Sequence, residues 1–208
     1  MTTILQILVS PRADSFSRAF AREVVARLVR RHAGAVIIER DLAAEPPPHP
    51  DRALYDAILS PADNDDPRFA LSERLIGELE AADWIVIGTP MNNFTLPSTL
   101  KAWVDHIVRI RRTFASTRQG KVGLLRDRPL IVVSAHGGFV GDAPPAQPDF
   151  LTPYLSAVFH TIGITQLEFI RLEGVTRGSE AVDRALAAAR DWLDTRLPLP
   201  EPAAIAVR

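Results

Sequence analysis

Five short runs of β-branched and aliphatic residues recur along the chain, at 4–9, 36–38, 84–87, 130–133 and 167–172. Between them lie longer stretches whose apolar residues are spaced for helices. Most of the runs are apolar nearly throughout, which suits strands of a parallel sheet covered on both faces. Gln6 and Glu168 are polar interruptions, and Glu168 marks the last strand as an edge. Phe20, Val24 and Leu28 repeat every fourth residue, with Arg18, Arg22 and Arg30 elsewhere around the cylinder. Leu71, Leu75 and Leu79 form a second row, and Leu100, Val104 and Ile107 with Val108 a third. Residues 154–162 make a shorter helix, and Val182, Leu186 and Leu193 form the last row.

Strand and helix alternate from start to end, so the fold class is α/β with right-handed crossovers: an open, doubly wound, five-stranded parallel sheet. Five strands favour the flavodoxin-like order 2-1-3-4-5 over the larger dinucleotide fold. A chain of 208 residues is one ordinary domain of this kind, and no repeat or second domain is visible. The expected domain is 1–197, followed by a Pro- and Ala-rich tail at 198–208 that frays. One long connection breaks the alternation, from Glu45-Pro46-Pro47-Pro48-His49-Pro50 to Pro67, with room for a short helix at 52–59. Leu54, Tyr55, Ile58 and Phe69 are expected to be exposed there and to suit a subunit interface.

Composition removes whole classes of function. The formal net charge is -1, so there is no basic footprint for nucleic acid or an anionic membrane. Cysteine is absent, which excludes disulfides, thiol nucleophiles and thiolate metal sites. The five histidines show no metal-ligand spacing, so no metal is expected. No apolar run is long enough to span a bilayer, and the first residues lack the pattern of a signal peptide. A cytoplasmic location follows by elimination. The chain also lacks the G-x-G-x-x-G fingerprint, the G-x-x-x-x-G-K-[ST] loop and the G-x-S-x-G elbow.

In an open doubly wound sheet, ligands bind beyond the carboxyl ends of the strands, where the winding reverses. Three strand-exit loops have the composition for it. Ser10-Pro11-Arg12-Ala13-Asp14-Ser15-Phe16-Ser17 brings hydroxyls and an Arg to a helix start, which is what a phosphate needs. Ser15 or Ser17 would equally serve as a helix cap. Thr89-Pro90-Met91-Asn92-Asn93-Phe94-Thr95-Leu96-Pro97-Ser98 offers amides, an aromatic ring and a thioether to a flat ring with a polar edge; an ordinary turn over buried Met and Phe is the alternative. Ser134-Ala135-His136-Gly137-Gly138 has a Gly pair that permits left-handed backbone and close approach of a flat ligand, as many ligand-free turns do.

At these loops the chain resembles the FMN-dependent NADH-azoreductases, flavodoxin-like quinone reductases. The most specific stretch is Pro90-Met91-Asn92-Asn93-Phe94 followed by Pro97-Ser98-Thr99-Leu100-Lys101-Ala102-Trp103-Val104-Asp105. Ser10 with Ser15-Phe16-Ser17, Arg40-Asp41-Leu42, Thr113-Phe114, and Thr152-Pro153-Tyr154-Leu155 leading to Gly163-Ile164-Thr165 support it. The resemblance implies non-covalent FMN, a homodimer, and two-electron transfer from NADH or NADPH through the flavin to a quinone or azo acceptor. It places the phosphate on Ser10, Ser15, Phe16 and Ser17. It places the ring on Met91, Asn92, Asn93 and Phe94, with Ser134, Ala135, His136, Gly137 and Gly138. The flavin carries the chemistry, so no catalytic side chain is required.

Three departures bear on the acceptor. Asn92 stands where the family commonly has Tyr, and Ala135-His136 replaces a Ser-Arg or similar pair. Arg111-Arg112 precedes Thr113-Phe114 where the family usually carries a small and an aliphatic residue, facing either the substrate mouth or solvent at a helix end. Asn92, Phe114 and His136 are the substrate-pocket candidates. A related NAD(P)H-dependent FMN reductase or nitroreductase, a non-catalytic flavin-binding electron carrier and a flavin-free interaction module are the rival readings.

Overall fold

In chain order the elements are β1 (Thr3–Leu8), α1 (Phe16–Arg31), β2 (Val36–Asp41), α2 (Arg52–Leu59), a 3-10 turn (Pro67–Phe69), α3 (Ala70–Ala81), β3 (Trp84–Pro90) and α4 (Ser98–Ile107). Then come β4 (Phe114–Thr117), β5 (Gly120–Gly123), β6 (Leu130–Ala135), β7 (Phe139–Val140), β8 (Ala146–Gln147), α5 (Leu151–Ile162), β9 (Leu167–Leu172) and α6 (Ser179–Arg196). They are seen in a computed structural model that describes residues 1–60, 63–140 and 146–198. Of the expected tail at 198–208, all but Pro198 lies outside the described residues.

β1, β2, β3, β6 and β9 form one parallel sheet in the order β2-β1-β3-β6-β9. Counted among these five, that is the expected order 2-1-3-4-5. Alternate strand residues feed opposite faces, as the period of two requires. Leu5, Ile7, Ile85, Ile87, Leu130 and Val132 pack under α3, α4 and α5. Ile4, Leu8, Val86, Ile131, Val133 and Ile170 pack under α1 and α6. β9 is an edge, as Glu168 indicated. Gln6 is buried in β1, its Nε2 has no partner, and nothing in the structure explains it.

Where the structure departs from the sequence reading, the reason is context. β2 is the other edge, so Val36 and Ile37 are 40% and 46% exposed despite their apolar character. The β4–β5 hairpin was not anticipated: its strands are four residues each, and only Phe114 among them is buried. Leu54 and Phe69 are not exposed; they are 5% and 3% accessible and pack with Ala57 in a cluster of their own. Ile58 packs against that cluster, and Tyr55 alone of the four stands out, at 51%. Pro48 O is hydrogen-bonded to His106 Nε2 at 2.9 Å, so the start of the long connection is held by its own chain. No helix among the described residues is long and apolar enough to cross a membrane.

Candidate functional site

The winding reverses between β1 and β3, and the exits of both strands meet those of β6 and β9 at one rim of the sheet. A cleft of about 420 Å³ opens there. Its wall is drawn from the first loop (Ser10, Pro11, Arg12, Asp14, Ser15, Phe16), the second (Pro90, Met91, Asn92) and the third (Ala135, Gly137). Val175 and Thr176, which follow β9, complete it.

The first loop is built around the start of α1. Ser15 is the N-cap, with extended backbone, and its Oγ accepts from Arg18 N at 3.4 Å. Ser15 Oγ and Ser17 Oγ are 3.0 Å apart, so one hydroxyl orients the other. The amides of Phe16 and Ser17 open the helix and have no carbonyl a turn earlier to bond, which leaves them for an incoming anion. Arg18 braces the loop from behind. Its Nη1 donates to Ser10 O at 2.9 Å, and its guanidinium pairs with Asp41 at the end of β2. That pairing, with amides of Ala43 and Ala44, holds the Asp41 carboxyl down to about 2. Ser15 therefore caps the helix and also faces the cleft.

The second loop is a tight reversal. Asn92 N donates to Thr95 O at 2.9 Å and Thr95 N to Asn92 O at 3.0 Å. The two central residues, Asn93 and Phe94, have φ of 47° and 69°, as a type I′ turn demands. Positive φ is tolerable for Asn and strained for Phe. Phe94 is held there because its carbonyl accepts from Phe150 N at 2.9 Å. Met91 N donates to Ala135 O at 2.8 Å and ties the second loop to the third.

The third loop differs from expectation. Neither Gly137 nor Gly138 is among the positive-φ glycines, so left-handed backbone is not their use here. A Cβ on Gly137 would lie 3.3 Å from Thr176 Oγ1, and one on Gly138 would lie 3.1 Å from Gln147 Oε1, so an added side chain would press on these two neighbours. Thr176 Oγ1 donates to Gly137 O at 2.8 Å, which fixes the residues after β9 beside this loop. Val175 and Thr176 were missed in the sequence because they sit far along the chain. The rule that exits share one rim would have pointed to them.

Seven of the thirteen residues expected to hold the cofactor line the cleft: Ser10, Ser15, Phe16, Met91, Asn92, Ala135 and Gly137. Ser17, Asn93, Phe94, Ser134, His136 and Gly138 do not. Ser17 and Ser134 are wholly buried, and Phe94 is turned out, 46% exposed. His136 is also fully buried, with Nε2 2.8 Å from Ser134 Oγ, so its ring does not present itself to a ligand edge. Phe114 is 8% exposed at the start of the hairpin and lies outside this wall. Neither Arg111 nor Arg112 lines the cleft, and Arg111 is solvent-exposed while Arg112 is half-buried. Arg111 donates to Ile58 O and Ser60 O at 3.0 and 2.6 Å, and Arg112 is paired with Glu73 and Glu80.

A flavin mononucleotide is a flat, mostly apolar ring with a polar edge and a doubly charged tail. The wall fits that description on its chemistry. The first loop brings free helix-start amides and the Ser10 and Ser15 hydroxyls, and the rest of the wall brings Met91, Ala135, Val175 and Gly137, which has no side chain. Residues 2–197 match the family model described as the flavodoxin-like fold. An FMN-dependent NADH:quinone oxidoreductase of Cupriavidus pinatubonensis is 51% identical over 197 residues, 92% of this chain and 96% of that one.

The chain belongs to this flavodoxin-like family of FMN-dependent NADH:quinone oxidoreductases.

A second relative so named, from Pseudomonas fluorescens, is 45% identical over 97% of this chain and 98% of its own. Among solved structures, an FMN-dependent NADH-azoreductase from Bacillus anthracis in complex with FMN superimposes with a TM-score of 0.78. It is 24% identical, with 95% of this chain and 100% of that one covered, and shows the shared fold. Asn92 places a short amide in the cleft wall.

Proposed function

We propose that this chain is an FMN-dependent oxidoreductase that takes two electrons from NADH and passes them to a quinone or azo acceptor. The observation that carries the reading is the single cleft shared by three strand-exit loops, with an anion-ready helix start at one end. Bound FMN supplies the two-electron chemistry. The chain holds the phosphate with the Phe16 and Ser17 amides and the Ser10 and Ser15 hydroxyls, and the positive end of α1 adds to the attraction. Ser17 orients the Ser15 hydroxyl from below. Met91 and Asn92 on one side, and Ala135 and Gly137 on the other, border the ring. The six other expected residues act as supports: Asn93 and Phe94 set the turn, while Ser134, His136 and Gly138 set the third loop. One ring face stays open, so donor and acceptor take turns at it, the donor leaving first.

The same proposal includes a homodimer, with Tyr55 and Leu59 as the exposed apolar residues of α2 suited to an interface, and a cytoplasmic setting where NADH is supplied. A stable monomer in a size measurement removes the first of these.

The purified full chain should be yellow and should bleach anaerobically on addition of NADH, then recover its colour with a quinone. A yellow protein that NADH does not bleach is an electron carrier in need of a partner reductase, and a colourless one that ignores added FMN defeats the flavin reading. Recovery with nitroaromatics or free flavin but not with quinones moves the assignment to the related reductases. In the double variant Ser15→Ala, Ser17→Ala the FMN dissociation constant should rise at least tenfold, since a hydrogen bond to a charged group contributes about 1.5–3 kcal/mol. Unchanged affinity rejects the phosphate assignment.

A further inference from the structure

Beside the cleft lies a second hollow of about 280 Å³ to which the flavin assignment gives no occupant. The two share Ser10, Pro11 and Arg12, so a three-residue wall separates them. Arg18 and Asp41 stand on the far side, and Ala43 and Ala44 complete it. The place is firmly built. Arg18 and Asp41 have side chains only 12% and 20% exposed and form a two-point ion pair. Asp41 Oδ1 also accepts from Ala43 N at 3.0 Å and Ala44 N at 3.2 Å, which leaves Oδ2 with Arg18 as its one partner.

Three features of this hollow belong to one kind of ligand. Asp41 ends β2, the position from which, in the dinucleotide-binding kind of doubly wound sheet, a carboxylate takes a ribose hydroxyl. Arg12 is tied only to Asp14, and both side chains are 74% exposed, a pairing weak enough to yield to a phosphate. Pro11, Ala43 and Ala44 offer small apolar surface to a flat base.

We propose that the hollow is an adenylate subsite: Arg12 meets the phosphate, Asp41 the ribose, and the alanines the base. On the reading of the cleft given above, two molecules bring an adenylate to this spot. One is the NADH donor, its nicotinamide half in the cleft; the other is a dinucleotide flavin, whose second phosphate continues past the first loop. In the first case the Asp41 carboxylate disfavours a 2′-phosphate, so NADH is used in preference to NADPH.

The probe is adenosine 5′-monophosphate added to the FMN-loaded full chain, followed by calorimetry, and the variant is Ala44→Trp, an exposed position outside the FMN wall. Binding of the probe should weaken at least tenfold in the variant while FMN affinity stays the same. Competition between the probe and NADH, with a raised KM for NADH and unchanged kcat in the variant, assigns the subsite to the donor. Displacement of FMN by excess FAD from the parent chain but not from the variant assigns it to a longer flavin. As a second variant, Asp41→Asn should narrow the preference for NADH over NADPH. No probe binding at millimolar concentration, with every constant indifferent to Ala44→Trp, overturns the proposal. A chain that holds no FMN yet binds the probe in a manner sensitive to Ala44→Trp sinks the flavin reading and keeps the subsite.

Discussion

The imidazole of His136 has Nε2 bonded to Ser134 while its Nδ1 is buried without a partner. The charged ring would carry an N–H on that enclosed nitrogen, and burial pushes the ring's pKa down from 6.5. Asp149 and Glu173 pull the other way and Arg171 opposes them, but desolvation is the larger effect. Because the folded-state value is depressed, the unfolded chain binds the proton more readily, so stability is whole above pH 6.5 and declines as pH falls below it. A thermal melt series from pH 8 to pH 5 should show this loss, and His136→Gln should flatten the lower part of the curve. Parallel curves for the two proteins would mean that His136 is not the group responsible. The same enclosure explains why this residue misled the sequence reading. A His next to two glycines after a strand looks like a ligand contact, and nothing in its neighbours says that Leu172 O takes its amide and draws the ring inward.

At the scale of elements, the phosphate loop stands where it does because α1 lies close on β3. Gly88 makes that approach possible: a Cβ there would be 2.7 Å from Ala21 Cβ and 2.7 Å from Ser17 O. Gly88→Ala must lift the helix start away from the sheet. We expect a loss of about 1–3 kcal/mol in chemical denaturation, the usual cost of forcing a methyl into a packed core, together with weaker FMN binding. Full stability with full affinity would show that the helix is not seated by this contact. The strands at the centre of the sheet were legible because both their faces are covered, which leaves an unbroken apolar run. The small hairpin was not, because a strand such as Ala115-Ser116-Thr117 buries almost nothing and carries no pattern. Leu54 and Phe69 were legible as apolar but not as internal, since periodicity shows that a face needs cover and not which segment supplies it. The three loops were legible because strand exits are where such sheets bind ligands. Their backbone angles were not: the positive-φ pair fell on Asn93-Phe94 rather than on the glycines.

Across the whole molecule, the question is where the cooperative unit ends. α6 closes over the sheet through Ala189 and Leu193, and Leu197, 5% exposed, is the last of the described residues to enter that core. Arg27 reaches Leu197 O at 3.3 Å and Asp194 at 2.6 Å, and Arg31 reaches Pro198 O, so α1 clamps the chain just past the helix. The family match also stops at residue 197. A chain ended after Pro198 keeps every one of these contacts and should melt at the same temperature as the full chain, in one transition, with its flavin content unchanged. Ending the chain after Arg196 instead removes the Leu197 side chain and both carbonyls held by α1. Full burial of one leucine contributes about 1.5–3 kcal/mol, so this shorter chain should melt several degrees lower. The pair of truncations is informative because each fails differently. A lower melting temperature for the longer one would extend the domain into the last ten residues, and an unaltered one for the shorter would mean that α1 does not close the fold at its C-terminal end.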